Sequence, residues 1–96
     1  MLTTELVRLG QIVKSIAGRD RGRVFIITKI VDESYVLVVD GDLRRISNPK
    51  RKKIMHLQIT NTVLEELLDD LNNQKLQDAQ VRKTLDVYKL KGMGVK

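Results

Sequence analysis

From Gly10 onward the chain reads as short apolar clusters separated by charged or glycine-containing breaks. GQIVKSI is the first cluster, RVFIITKIV the second and YVLVVD the third, with DES turning the chain between the last two. Runs of this length, rich in β-branched residues and bounded by turn formers, predict strands. Asp40-Gly41 is the strongest hairpin signal, because both residues tolerate positive φ. LRRI then predicts a short fourth strand, ended by SNP because Pro49 cannot continue a ladder. IMHLQI predicts a fifth. The runs at 24–27 and 36–39 are apolar without alternation, so their strands should be buried on both faces. Val24, Ile26, Val36 and Val38 are expected on one side, joined by Leu57, and a second layer must cover the other.

The period changes after residue 60. TVLEELLDDLNNQ places Val63, Leu64, Leu67, Leu68 and Leu71 on one stripe, with Glu65, Glu66, Asp69 and Asp70 opposite. Thr62 and Glu65 have capping-box spacing, so a helix is expected to start there. Asn72-Asn73 weakens it. A second helix is expected over DAQVRKTLDVYKLKG, with Asp78 as N-cap, Val81, Leu85 and Tyr88 on its buried face, and Gly92 at its end. The last residues, GMGVK, look frayed. Leu64, Leu67, Leu68 and Leu71 are the expected docking residues of the helical tail.

A chain of 96 residues with 42% hydrophobic and 31% charged content fits one small folded domain with an appendage. It contains no cysteine, which excludes a disulfide framework and fits a reducing compartment. MLTTELVRLGQIVK lacks the basic leader and apolar core of a signal peptide, and no apolar run approaches the roughly 20 residues that span a bilayer. A cytoplasmic location follows as the expectation. Net charge is +6, and all of the excess lies in one part. Residues 1–58 carry 12 Lys/Arg against 6 Asp/Glu, and residues 59–96 carry 6 of each. Clustered positive charge attracts polyanions, so the N-terminal part is expected to meet one.

Two segments concentrate that charge. In GRDRGR, Gly18 and Gly22 bracket Arg19, Asp20 and Arg21, and Arg23 follows. A nucleotide-binding loop is excluded by its spacing and because it leads into a strand rather than a helix N-terminus. Glycines at positive φ would let backbone approach a phosphate, and guanidinium forks suit phosphate oxygens. Asp20 would temper the repulsion and hold a neighbouring arginine. The second segment is the run Lys50, Arg51, Lys52 and Lys53, expected as a solvated loop that attracts phosphate diffusely. Arg44 and Arg45 add a third cationic pair. A single histidine, His56, and a turn-flanking pair, Asp40 and Asp42, offer no catalytic or metal-binding constellation. No cofactor and no small-molecule substrate are expected. Of three aromatic residues, Phe25 lies in a buried run and Tyr88 on an apolar helix face, too few rings for a base-stacking platform. Backbone contacts to structured RNA fit better.

GRDRGRVFIITKI resembles the KOW motif, a loop of glycines and basic residues leading into an apolar strand. The stretch from Gly10 to about Thr60 resembles the small bacterial KOW-domain RNA-binding proteins, which are similar to family fourteen of the archaeal and eukaryotic large-subunit ribosomal proteins. Ile59 departs from the pattern, where the family tends to have proline. The resemblance implies an SH3-like barrel of about five strands and RNA, usually ribosomal, as partner. It places Gly18, Arg19, Arg21, Gly22 and Arg23 in an RNA-facing loop and carries Lys50, Arg51, Lys52 and Lys53 over as a second RNA-facing segment.

The expected fold is therefore mainly β with C-terminal helices, a KOW-type barrel over 1–60 and a helical extension over 61–96 packed on it. The expected function is non-enzymatic RNA binding at the ribosome. The alternative is an adaptor that docks ribosomal or transcription proteins through the barrel or the acidic helix.

Overall fold

The computed structural model describes residues 7–90. Its centre is one antiparallel sheet of five strands in the order β4-β3-β2-β1-β5. The strands are β1 (Gln11–Ser15), β2 (Val24–Ile30), β3 (Tyr35–Val39), β4 (Lys50–Lys53) and β5 (Leu57–Val63). Strand β1 pairs with both β2 and β5, so β1 to β4 follow one another across the sheet and the C-terminal strand returns to pair with β1 as the opposite edge. Gln11 Nε2 donates to the Thr60 carbonyl at 2.8 Å where the β1–β5 register shifts, supplying a bond at the irregularity.

The ladder is open, with β4 and β5 as its unpaired edges. It is nevertheless curled. Four residue steps separate Lys53 from Leu57, a reach of about 14 Å. A flat sheet of this order would set its edges roughly 19 Å apart. The turn Ile54–His56 closes that gap, with Ile54 N–H donating to Ser34 and Ile16 N–H donating to His56.

Curling divides the apolar residues into two cores. Val7, Val13, Phe25, Ile27, Val36, Val38, Ile54 and Leu57 fill the inside of the curl. Ile12, Val24, Ile26 and Val39 face outward and are covered by Leu64, Leu67, Leu76, Val81 and Leu85. Both faces of the central strands are thus buried, as their unbroken apolar runs require. The grouping differs from the expected one. Val24 and Ile26 point outward, while Val36 and Val38 point inward with Leu57. Register decides this, because Ile26 lies opposite Val39 and Ile27 opposite Val38.

Three local expectations are corrected. LRRI is not a strand. Asp40 Oδ1 accepts the N–H groups of Asp42 and Arg44, both at 2.9 Å, and folds the chain into a turn. Ile46 then donates its N–H to Asp78 Oδ1 at 2.8 Å and packs against the outer core. IMHLQI is divided, with a 3-10 turn at Ile54–His56 and β5 starting only at Leu57. Thr62 caps no helix, because β5 continues to Val63; a 3-10 turn at Glu65–Leu67 then leads into α1 (Leu68–Asn72). The pull on Thr62 is the sheet, through ladder pairing of Val63 with Gln11.

Helix α2 spans Asp78–Leu90 and buries Val81 and Leu85, with Tyr88 packed beside them. Asp78 is its first residue rather than its cap. Gln77 holds the cap position, its carbonyl accepting from Gln80 and Val81 while Gln80 Oε1 accepts the Gln77 N–H at 2.8 Å. Gly92 and the GMGVK terminus lie outside the described residues.

Candidate nucleic-acid interface

The loop between β1 and β2 is held from within and from below. Gly18 and Gly22 adopt φ of +84° and +91°, the left-handed region that glycine enters without strain. The Gly22 N–H donates to the Ser15 carbonyl at 2.8 Å, the Ser15 N–H to Arg23 at 2.9 Å, and the Arg23 N–H to Asp20 at 2.9 Å. These bonds turn the chain tightly and leave Arg19 and Arg21 exposed at its tip. Arg21 Nε donates to the Ile16 carbonyl at 3.2 Å, which aims the guanidinium while its terminal nitrogens have no hydrogen-bond partner among the described residues.

Asp20 fastens the loop to strand β4. Its Oδ1 accepts from Lys52 Nζ at 2.7 Å and from Ser15 Oγ at 2.7 Å. Lys52 Nζ also donates to the Ala17 carbonyl at 2.9 Å. Lys50 Nζ lies 3.1 Å from Oδ2 but off the direction of a hydrogen bond, so it acts on that oxygen through charge alone. Burial pushes the Asp20 pKa up, yet the Lys52 and Ser15 hydrogen bonds and the Lys50 ammonium outweigh it and hold the carboxyl far below the usual carboxylate range. The partners of Asp20 are therefore lysines from β4, not the neighbouring arginines expected from the sequence.

Strand geometry also divides the run at 50–53. Alternation sends Lys50 and Lys52 to one face and Arg51 and Lys53 to the other. Lys52 is only 7% exposed and committed to Asp20. A diffuse, solvated cationic loop is thus corrected to a paired strand with one buried lysine. Arg51 and Lys53 are exposed on the outside of the sheet, where Arg51 stacks over the Tyr35 ring at 4.3 Å from its centroid.

The turn at 40–46 adjoins the loop. Arg23 Nη1 lies 3.6 Å from Asp40 Oδ2, the same carboxylate that organises the turn carrying Arg44 and Arg45. The geometry thus brings together the loop arginines, the turn arginines and Lys50, and separates Arg51 and Lys53 from them. Arg82, which sequence patterning did not single out, donates from Nη1 to the Gly41 carbonyl at 2.6 Å and ties α2 to this turn. A lone arginine on an amphipathic helix carries no local sign of such a contact.

The arrangement offers exposed guanidinium groups on a rigid backbone. Among the described residues no group of three or more His, Cys, Asp or Glu converges as a metal would need. Among the same residues no helix is long and apolar enough to cross a membrane. No family model matches the chain. Over 61 residues it is 28% identical to the large ribosomal subunit protein eL14 of Pyrobaculum arsenaticum, a match that covers 64% of this chain and 59% of that protein.

Proposed function

We propose that this protein is a non-enzymatic, cytoplasmic RNA-binding module that works at the ribosome and grips the phosphates of structured RNA. Arg19, Arg21 and Arg23 of the β1–β2 loop, Arg44 and Arg45 of the adjoining turn, and Lys50 form the contact surface. Gly18 and Gly22 shape the loop. On this reading the curled sheet is an SH3-like barrel of KOW type whose ladder stops short of closing. The partners are ribosomal RNA and the proteins around it.

The observation that carries the proposal is the clamp beneath the loop. Lysine is rarely buried, and a buried ion pair gains little net stability over an apolar pair of similar size. Here it fixes the backbone that presents two exposed arginines. Preset donors lose less entropy on binding than a flexible cationic tail. Similarity over 61 residues to a large ribosomal subunit protein supports the choice of RNA. Titration of the protein on a blunt RNA duplex at increasing salt tests it, since phosphate contacts weaken steeply as counterions compete. Binding indifferent to salt would favour an adaptor that docks a protein through apolar contacts instead.

A further inference from the structure

The outer face of the sheet is only partly covered by the helices. Beyond the covered residues Ile26 and Val39, the register sets Lys29 opposite Leu37 and Leu37 opposite Arg51, then Tyr35 opposite Lys53. Cross-strand partners share a face. That face is the outer one, because the intervening Val36 points into the inner core with Ile30 packed on it. Lys29, Arg51 and Lys53 are exposed there, and Leu37 and Tyr35 are half-buried.

We infer that this face is a second RNA surface, built for unpaired nucleotides rather than for duplex phosphates. The inference rests on the proposed function. Two features set this face apart from the loop. The Arg51 guanidinium carbon lies over the Tyr35 ring, 4.3 Å from its centroid, and among the described residues Arg51 has no carboxylate ion-pair partner, so the exposed guanidinium can take a further planar group. Unstacked RNA bases are held on such planes, whereas bases inside a duplex cannot reach them. Lys29 and Lys53 flank the stack and supply charge for the backbone phosphates of the same strand. Leu37 adds an apolar floor between them. The carboxylates closest along the chain, Asp32 and Glu33, lie in the β2–β3 turn, and Asp32 is committed to the N–H groups of Ser34 and Tyr35. Two lysines around an aromatic-guanidinium stack favour a nucleic acid strand over an acidic peptide, which would use the charge but not the plane.

The test compares a blunt RNA duplex with the same duplex carrying a short oligoadenylate tail. Wild-type protein should bind the tailed form about tenfold more tightly, within the range of one stacked base. Arg51→Lys keeps the charge but loses the plane. It should abolish the advantage of the tail and leave blunt-duplex binding unchanged, which also reports that the variant is folded. Lys29→Ala should reduce the advantage in part. Equal wild-type affinity for the two RNAs would overturn the second surface while leaving the loop reading intact. A tail advantage that survives in Arg51→Lys would place the unpaired strand elsewhere. Competition by polyglutamate as effective as that by oligoadenylate would assign the face to an acidic protein. Failure to bind either RNA would overturn the proposed function, and this inference with it.

Discussion

Lys52 Nζ lies 2.7 Å from Asp20 Oδ1, joining strand β4 to the β1–β2 loop across 32 residues of chain. Asp20 also takes the Ser15 hydroxyl, and Lys52 the Ala17 carbonyl, so the ammonium fastens the loop at two points, Ala17 and Asp20. Removing one member of such a pair strands the other in a poorly hydrated site. Asp20→Ala should destabilise the protein by roughly 2–4 kcal/mol, near the range for broken buried pairs. Chemical denaturation of the variant against wild type checks this, and a loss under half a kcal/mol would mean that water replaces the pair freely.

The same carboxylate gives the protein an acid limb. The folded-state pKa of Asp20 lies below its unfolded value, because the Lys52 and Ser15 bonds outweigh the effect of burial. Above the unfolded value, roughly 3.9, both states are ionised and the contribution is fully present. As pH falls below that value the unfolded chain takes up the proton first, and the contribution is lost progressively toward the folded pKa. Wild-type stability should therefore decline below about pH 4 more steeply than that of Asp20→Asn. Melting curves across that window measure the difference, and parallel declines would remove Asp20 as its source.

Gly22 and Gly41 share a left-handed backbone but not a neighbourhood. A Cβ at Gly22 meets nothing within 4 Å, whereas one at Gly41 collides with the Asp78 carbonyl and with Arg82 at the start of α2. Gly22→Ala should cost about 1–2 kcal/mol from backbone conformation alone. Gly41→Ala should cost more and loosen α2 from the sheet, read as faster amide exchange at Val81 and Leu85. Equal costs would show that the helix yields without penalty.

Leu67 and Leu68 adjoin in sequence but differ in depth. Leu67 is buried in the outer core and Leu68 half-buried. Leu67→Ala should cost about 2–5 kcal/mol, with Leu68→Ala distinctly less. Thermal unfolding of the pair checks this, and a negligible loss at Leu67 would mean that the tail docks on a partner rather than on this sheet.

The strands β1 to β3, the double burial of β2 and β3 and the buried face of α2 were legible because each depends on local apolar pattern. The fate of the run at 50–53 was not. Four consecutive cations look solvated in isolation, and Lys52 is buried only because Asp20 waits 32 residues away. Thr62 and Glu65 have the spacing of a cap, but pairing of β5 with β1 extends the strand over Thr62, and Glu65 begins a 3-10 turn instead. The sides taken by Val36 and Val38 depend on cross-strand register, which alternation within one strand cannot fix. At the candidate interface, the loop residues were visible as glycine and arginine spacing. The separation of Arg51 from Lys50 became visible only with the strand, as did the stacking on Tyr35.

Salt dependence separates residues that touch phosphate from those that place them. Arg19, Arg21, Arg23, Arg44, Arg45 and Lys50 are candidate contacts, and four to six contacts predict a slope of log K against log salt of roughly −3 to −5. Arg19→Ala should lower the magnitude of that slope by about 0.7–0.9, one contact's worth. Lys52→Met should behave differently. Its ammonium is buried against Asp20, so its loss frees the loop and weakens binding at every salt concentration while leaving the slope unchanged. Arg21→Lys keeps the charge and loses the fork, so it should weaken binding to the cognate RNA more than to random duplex, again at constant slope. Titrations of the three variants at several salt concentrations distinguish these cases. If Lys52→Met flattens the slope as Arg19→Ala does, the lysine leaves Asp20 to meet phosphate when RNA arrives, and the clamp is a feature of the free protein alone.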